Sequence, residues 1–362
     1  MRSQTVYARA IVAGLGVIAI VAAAIAAGSG GFRHFDAALA GYAIGSLLAA
    51  FAVAFRFVIW AQRPPSRMYF KRGLPLLFRR MPAPAPKPEA AGTPARPVPH
   101  GVGTLGYALA RNFAAQEFIR RRSVYRWIMH LCLSGGCTLA FAITFPLVFG
   151  WIHFESFPDN AEHYRVIAWG VAVDSFDVHS FKAAVLFNAL NIAGVLVLVG
   201  LLLAAIRRLT DAGERATQTF FEDIMPLLLI FVVTATGLAL TVSYRFLDGH
   251  SHALWAIVHM VSVVALLLFI PFGKLFHMFQ RTCSLCVTRY QRVGAAGPRA
   301  SCRSCGEDYA SQMHVDDLKI VLDQLGFNYR FAGPRGEVHY QEICPACRRR
   351  LMALNQGRTI GR

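Results

Sequence analysis

The sequence predicts an all-α membrane protein: a bundle of about six transmembrane helices, followed by a small α+β cysteine-rich metal-binding domain at the C-terminus. Three observations support this. Hydrophobic residues make up 55% of the 362 residues and charged residues only 16%, whereas soluble domains carry about 25% charged residues. Six stretches approach or exceed the ~20 apolar residues that a membrane-spanning helix needs. Six of the eight cysteines form three Cys-x-x-Cys pairs.

The apolar stretches define the predicted membrane spans, which cover residues 6–27, 37–60, 125–151, 183–206, 224–244 and 253–279. The first is longer than the apolar region of a signal peptide, which has about 7–15 residues. It is therefore counted as a span, with a cleaved signal peptide as the alternative. The chain then divides into two N-terminal transmembrane helices (1–61), a basic loop (62–124), a four-helix membrane core (125–280) and a cysteine-rich domain (281–362).

The distribution of charge predicts how the spans are oriented. Residues 62–126 contain 13 Arg and Lys against two acids, whereas residues 152–182 contain five acids and two bases. Basic loops collect in the cytoplasm, so we expect the first segment and both termini to be cytoplasmic and the second segment to be external. The protein would be a multi-pass protein of a bacterial-type cytoplasmic (inner) membrane. Its net charge of +17 follows from this topology without a nucleic-acid partner.

The basic loop has two parts. Seven prolines lie between Pro82 and Pro99, a composition typical of an extended linker. This part is interpreted either as a disordered loop or as a docking arm for a soluble partner. The next part, Tyr107–Arg122, has apolar residues at helical spacing and ends in three arginines. It predicts an interfacial helix that leads into the third span.

Three histidines lie inside the predicted spans, namely His130, His259 and His277. Ionisable side chains are costly in a membrane, so each needs a reason. His130 and His277 lie at similar depth below the predicted cytoplasmic face, and two such imidazoles can ligate one haem iron axially. The alternative is a neutral imidazole hydrogen-bonded to a neighbouring helix. Gly135 and Gly136 would let a flat macrocycle approach the third span closely.

Two cations and the third histidine extend this hypothesis. Arg126 and Lys274 lie about one helical turn from His130 and His277; they would pair with haem propionates, or else extend to the interface as ordinary cations. His259 and His277 are 18 residues apart, about five helical turns, so both would face the same way on one helix. His259 would then hold a second haem if it had a partner across the bundle, or line an outer quinone pocket.

The last span resembles the final membrane helix of respiratory nitrate reductase gamma subunits, which are b-type cytochromes. It is also similar to related membrane subunits of heterodisulfide-reductase-like and dissimilatory sulfite-reduction complexes. The run PFGKLFH, from Pro271 to His277, carries most of this likeness. RWIMHLCLSGG, with His130, is similar to the first haem-bearing helix of the family, and LIFVVTATGLAL resembles the helix before the last. The resemblance covers about residues 37–280.

The resemblance implies haem b ligated by His130 and His277, with quinol chemistry near the outer side of the bundle. The sequence departs from the family in several places. The family carries a second histidine ten residues after the first on its first haem helix, where this chain has Ala140; the number of haems, one or two, therefore stays open. The first span, the proline-rich loop and the cysteine-rich tail are additional.

The tail contains three cysteine pairs with the spacing of metal ligands, namely Cys283 and Cys286, Cys302 and Cys305, and Cys344 and Cys347. The first two pairs match the spacing of a four-thiolate site, and the last two are the alternative set. Zinc would make the site a structural clip, iron or an iron–sulfur cluster would carry electrons, and a metal-free dithiol is the third option. Residues 314–327 predict an amphipathic helix, followed by two strands around a Gly–Pro turn.

These patterns favour a b-type cytochrome membrane subunit that relays electrons between membrane quinone and cytoplasmic oxidoreductase subunits through haem b. The chain would be an electron-transfer subunit rather than a complete enzyme. A second hypothesis is a non-haem membrane anchor or sensor that recruits cytoplasmic partners through a zinc-stapled tail. A transporter is third, since no inverted repeat or matched pair of broken helices is evident. The terminal donor or acceptor, the direction of electron flow and the oligomeric state do not follow from the sequence.

Overall fold

The computed structural model describes residues 2–78, 106–107, 109–333 and 336–361. The proline run between Pro82 and Pro99 lies outside the described residues. The chain divides into two units. The first, called the membrane unit here, comprises Met1–Ile59 and Ala110–Met278, and the second, called the tail unit, comprises Trp60–Leu109 and Phe279–Arg362.

The described α-helices are, in chain order, α1 (Arg2–Gly28), α2 (Ala40–Gln62), α3 (Pro64–Phe78), α4 (Glu117–Arg120), α5 (Val124–Val148), α6 (Phe181–Thr210), α7 (Ala212–Thr217), α8 (Met225–Phe246), α9 (His252–Phe269), α10 (His277–Thr282), α11 (Ser284–Ala296), α12 (Gln312–Gln324) and α13 (Pro345–Ile360). The strands are β1 (Ile152–Phe157), β2 (Asn160–Ala168), β3 (Val171–Asp177), β4 (Arg299–Ser301), β5 (Asp308–Ser311), β6 (Arg330–Gly333) and β7 (Gly336–His339).

Among the described residues, six helices are long and apolar enough to cross a membrane, which confirms the predicted fold class of a multi-pass helical protein. They cover Gln4–Gly28, Ala37–Gln62, Val124–Val148, Phe181–Thr210, Phe220–Phe246 and His252–Phe269. Within the membrane unit, α5 packs against α6, α6 against α8, and α8 against α9. The helix that carries His130 and the helix that precedes His277 are thus the two ends of this series.

Small residues set the distance between α5 and α6. A Cβ at Gly136 would lie only 2.8 Å from the carbonyl oxygen of Ala193 on α6, and one at Gly200 would lie 2.7 Å from the backbone nitrogen of Leu133. The backbones of α5 and α6 therefore approach each other closely, as small residues allow at contacts between membrane helices. The sequence analysis expected Gly136 to let a macrocycle approach α5, but the structure places α6 against it. A Cβ at Gly135 would meet nothing within 4 Å.

The sixth span is interrupted, which corrects the prediction of one helix over residues 253–279. The helix α9 ends at Phe269, a single 3₁₀ turn covers Lys274–Phe276, and α10 begins at His277. Pro271 has no N–H to continue the helix, and Gly273 is extended, with φ −98° and ψ −172°. His259 and His277 consequently lie on separate helices, so the prediction that both face the same way on one helix is wrong.

The segment between α5 and α6 is a three-stranded antiparallel sheet with the strand order β1-β2-β3. The turn from β2 to β3 has positive φ at both Trp169 and Gly170, 51° and 77°, as a two-residue hairpin turn of type I′ requires. Trp151 fixes the sheet to the bundle, because its indole N–H donates to the carbonyl oxygen of Ala24 on α1 at 2.9 Å.

In the tail unit, α3 packs against α11 and α12. Arg72 lies 3.1 Å from the Asp317 carboxylate, which also accepts a hydrogen bond from the Tyr290 hydroxyl at 2.8 Å. The predicted amphipathic helix is present as α12, and Gly326 follows it with φ +80°. The predicted strands form the β6–β7 hairpin.

The predicted interfacial helix over 107–122 is not continuous. It contains a π-helical turn at Ala110–Ala114 and the short helix α4, separated by Gln116 in the left-handed conformation, with φ 48°. A non-glycine residue at positive φ is uncommon. Here the conformation directs the Gln116 side chain toward His130.

Candidate metal centre and histidine sites

Four cysteine thiols of the tail unit converge on one point. The Sγ atoms of Cys302, Cys305, Cys344 and Cys347 all lie within 4.8 Å of one another, and Cys305 Sγ is 3.8 Å from Cys344 Sγ. Four sulfurs at about 2.3 Å from a tetrahedral metal ion are about 3.8 Å apart. The group can therefore hold a zinc or iron ion with little rearrangement.

Two backbone turns position these thiols. Cys302 follows β4, and its Sγ accepts hydrogen bonds from the N–H groups of Ser304 at 3.4 Å and Cys344 at 3.2 Å. Gly306, with φ +79°, closes this turn by donating to the Cys302 carbonyl at 2.8 Å. In the second turn, Cys344 caps the N-terminus of α13, and its Sγ accepts from the Cys347 N–H at 3.5 Å.

The same N–H groups favour a thiolate. Burial alone would raise the pKa of the Cys302 thiol, but the backbone N–H groups of Cys344, Cys305 and Ser304 lower that pKa to about 6. At Cys305 the N–H of Glu307 lowers the pKa, but hydrogen bonds with the Cys302, Cys347 and Cys344 thiols outweigh it and raise the pKa to about 12. A bound cation would favour the thiolate form of these ligands, because metal binding displaces the thiol protons.

The remaining cysteine pair, Cys283 and Cys286, lies elsewhere in the tail unit and is not part of this group. Cys283 precedes α11 and Cys286 lies in its first turn. Both line an apolar cavity of about 160 Å³, together with Trp60, Pro65, Ser66, Tyr69, Phe70 and Val287. Burial raises the pKa of both thiols. Of the two four-cysteine sets that the sequence left open, the structure brings together the second.

A polar network orients His130 on α5. The Ser134 hydroxyl donates to the His130 carbonyl at 2.7 Å and accepts from the Gln116 side-chain amide nitrogen at 2.6 Å. The other end of that amide, Oε1, is 2.7 Å from His130 Nδ1. Since an amide oxygen only accepts, the proton lies on Nδ1 and the lone pair on Nε2. The left-handed backbone of Gln116 directs its buried side chain into this network.

His277 has the same tautomer by a different route. Its Nδ1 lies 2.6 Å from the carbonyl oxygen of Lys274 in the preceding turn, and a carbonyl only accepts, so Nδ1 carries the proton. The Lys274 ammonium binds the Asp223 carboxylate at 2.7 Å.

Arg126 lines an open basic groove of about 520 Å³ together with Arg122, Ser123, Tyr125, Ile206, Arg207, Thr210 and Asp211.

His259 is packed against α8. Its Nδ1 lies 3.0 Å from the Thr236 hydroxyl, which donates to the Val232 carbonyl at 2.7 Å. A Cβ at Gly237 would be 3.1 Å from His259 Cε1, so the imidazole lies directly on the α8 backbone. This environment is that of a hydrogen-bonded core histidine, the alternative that the sequence left open.

The sequence did not single out Gln116 or Arg56. Arg56, on α2, donates a hydrogen bond to the carbonyl oxygen of Pro271 and lies 4.7 Å from the centre of the Phe276 ring. It supports the break between α9 and α10. Arg56 could have been found from the sequence, because it is a lone charge inside an apolar span. Gln116 could not, because a single glutamine in an amphipathic segment is an ordinary residue.

No family model, no curated protein and no solved structure matches this chain.

Proposed function

We propose that this chain is the b-type cytochrome membrane subunit of a quinone-linked oxidoreductase complex. It would relay electrons between membrane quinone and a cytoplasmic catalytic partner. The observation that carries the proposal is that Nδ1 of each of two half-buried histidines lies against an oxygen atom that only accepts hydrogen bonds, which directs the lone pair to Nε2. His130 donates its Nδ1 proton to Gln116 Oε1 at 2.7 Å, and His277 donates its Nδ1 proton to the Lys274 carbonyl at 2.6 Å.

This arrangement fits the group that the resemblance implies. Histidines that ligate metals almost always donate their other ring N–H to a carboxylate, a backbone carbonyl or water, which fixes the tautomer and the ring orientation. The backbone carbonyl of Lys274 is such an acceptor, and the side-chain oxygen of Gln116 accepts in the same way. Both imidazoles are half-buried. His130 lies on α5, and His277 begins α10, after the helix α9 that ends the packed series. When bound, haem b supplies one-electron transfer; His130 and His277 would hold its iron.

The surrounding charges suit an anionic group at the same end of the bundle. Arg122 and Arg126 line the basic groove, and either would pair with a carboxylate at the membrane interface. Lys274 is held by Asp223, which also lies 3.6 Å from Arg208. We therefore assign Arg126 the propionate role and Lys274 a part in positioning His277 through its backbone carbonyl.

The four-cysteine group would serve docking or electron transfer, depending on its metal. Iron would extend the electron path toward a soluble partner, because its thiolate sites are redox-active. Zinc would only stabilise the fold of the tail unit. The partner would be an oxidoreductase subunit that supplies the chemistry of the second substrate.

A specific observation also favours a second candidate. The four-cysteine group forms a closed site with N–H···S bonds at both turns, as expected of a structural zinc clip. On this alternative the chain is a membrane anchor or sensor that recruits partners through the tail and binds no haem.

One experiment separates the two candidates. The purified protein would be assayed for haem by pyridine haemochrome and for zinc and iron by mass spectrometry, and then treated with a reduced short-chain quinone analogue. About one haem b per chain, reduced by the quinol, supports the cytochrome. A colourless protein that carries only zinc supports the anchor and rejects the cytochrome.

A further inference from the structure

Two imidazoles and a carboxylate meet in the membrane unit, and none of the three belongs to the sites described above. The rings of His34 and His153 are stacked, with their centres 3.9 Å apart and their planes 9° from parallel. One ring nitrogen of each histidine and one carboxylate oxygen of Glu155 all lie within 4.8 Å of one another. His34 belongs to the turn that follows α1, and the other two residues belong to β1.

The backbone holds these side chains in place. The His34 N–H donates to the Ser29 carbonyl at 3.1 Å, which closes the turn after α1. Gly150, just before β1, has φ +68°, and a Cβ there would lie 2.5 Å from the His34 carbonyl oxygen. Only glycine allows this close approach. His153 is paired with Ile167 in the sheet, so its position does not depend on the histidine stack.

The imidazole of His153 lacks the partners that a buried polar group needs. Both of its ring nitrogens are buried, and neither makes a hydrogen bond within the part of the chain that the structure describes. Its Nε2 lies 3.3 Å from Glu155 Oε1, within ion-pair distance but without the geometry of a hydrogen bond. Leaving a buried donor or acceptor unsatisfied costs the free energy of removing it from water. Stacked neutral rings would not recover this cost, and two protonated rings would repel each other.

We propose that His34, His153 and Glu155 bind a divalent transition-metal ion such as Zn²⁺. Two histidines and one glutamate are an established three-ligand set for zinc, which leaves a fourth position for water. His34 is exposed, so its ring has room to tilt from the stack and direct a lone pair at the ion. The bound ion would satisfy a nitrogen of His153 and join the turn after α1 to the sheet.

The test is to count metal ions in the intact, full-length protein. Wild type and variants would be dialysed against the same micromolar Zn²⁺ buffer, and bound zinc would be measured by mass spectrometry. The variants are His34→Ala, His153→Ala and Glu155→Gln. The matched control is His179→Ala, because His179 lies 3.8 Å from Glu162 of β2 but belongs to no three-ligand group among the described residues.

We expect wild type and His179→Ala to bind one more zinc ion per chain than His34→Ala and His153→Ala. Glu155→Gln should bind this additional ion at least tenfold more weakly than wild type. Equal zinc content in wild type and His34→Ala would overturn it. If His153→Ala does not fold, His34→Ala still decides the result, because its side chain is exposed. Cysteine-bound metal is common to all these proteins and cancels in the comparison.

Discussion

The Gln116 side-chain oxygen lies 2.7 Å from Nδ1 of His130, a residue 14 positions later in the chain. The contact requires Gln116 to adopt a left-handed backbone, with φ 48°, and interrupts what the sequence predicts as a continuous interfacial helix. A strained conformation persists only where the surrounding structure supports it. Here the support is the network of Gln116, Ser134 and His130, which fixes one imidazole in the tautomer suited to binding a metal through Nε2.

Replacing Gln116 by Ala should weaken haem binding without removing a ligand. Loss of such an outer partner costs about 10–100-fold in metal affinity, because the orientation and tautomer of His130 are no longer fixed. Haem titration of the stripped protein would measure the effect. Gln324→Ala, at an exposed position at the end of α12, is the control, and equal haem affinity in the two variants would contradict the assigned role of Gln116.

Single cysteine variants should distinguish the four-cysteine metal site from the pair Cys283 and Cys286. Cys302→Ser and Cys344→Ser should lose the tail metal, because each removes a ligand from the four-thiolate group. Cys283→Ser and Cys286→Ser should keep it. Metal analysis of purified proteins measures this directly. Loss of the metal from Cys283→Ser, together with its retention in Cys344→Ser, would show that the other four-cysteine set is the ligand set.

Arg56→Met should destabilise the membrane unit by about 1.5–3 kcal/mol, the range for a hydrogen bond to a charged group. The variant keeps the length of the side chain but leaves the Pro271 carbonyl without this donor. Thermal unfolding in detergent is the measurement, with Arg245→Met as the control, since Arg245 is exposed at the end of α8. If the two variants unfold at the same temperature, Arg56 does not support the break in the sixth span.

Adjacent glycines on α5 should respond in opposite ways. Gly136→Ala should destabilise the protein by about 1–3 kcal/mol, the usual cost of overpacking, because the added Cβ meets the α6 backbone. Gly135→Ala should be neutral or stabilising by up to about 1 kcal/mol, because alanine is the better helix former and nothing lies within 4 Å of the new atom. A reversed order would reject the assigned packing of α5 on α6.

Hydropathy was sufficient to predict the six spans, since each consists of apolar residues over the length that a bilayer needs. The break in the last span was missed because its residues stay apolar through Phe269 and Pro271. Pro271 was the local signal, but a proline alone does not decide the matter, since Pro146 lies inside α5 without ending it. The β1–β3 sheet was missed because it lies in a segment that charge identified only as a loop between two spans.

The candidate sites were predictable to different degrees. Cysteine spacing limited the metal ligands to two sets, but spacing could not choose between them, because the choice depends on how β4 and the N-terminus of α13 come together. His34, His153 and Glu155 could not be linked from the sequence, since more than one hundred residues separate His34 from His153 and no local motif joins them. Long-range packing supplies that relationship.

The most direct test of the proposed cytochrome is a reduced-minus-oxidised absorption spectrum of the purified protein and three variants. We expect wild type to give the α band of haem b, and His130→Ala and His277→Ala to lose it. His259→Ala should keep the band, because the His259 ring is packed directly on the α8 backbone at Gly237. A wild-type protein without this band, or a band of wild-type intensity in His130→Ala and His277→Ala, would contradict the account.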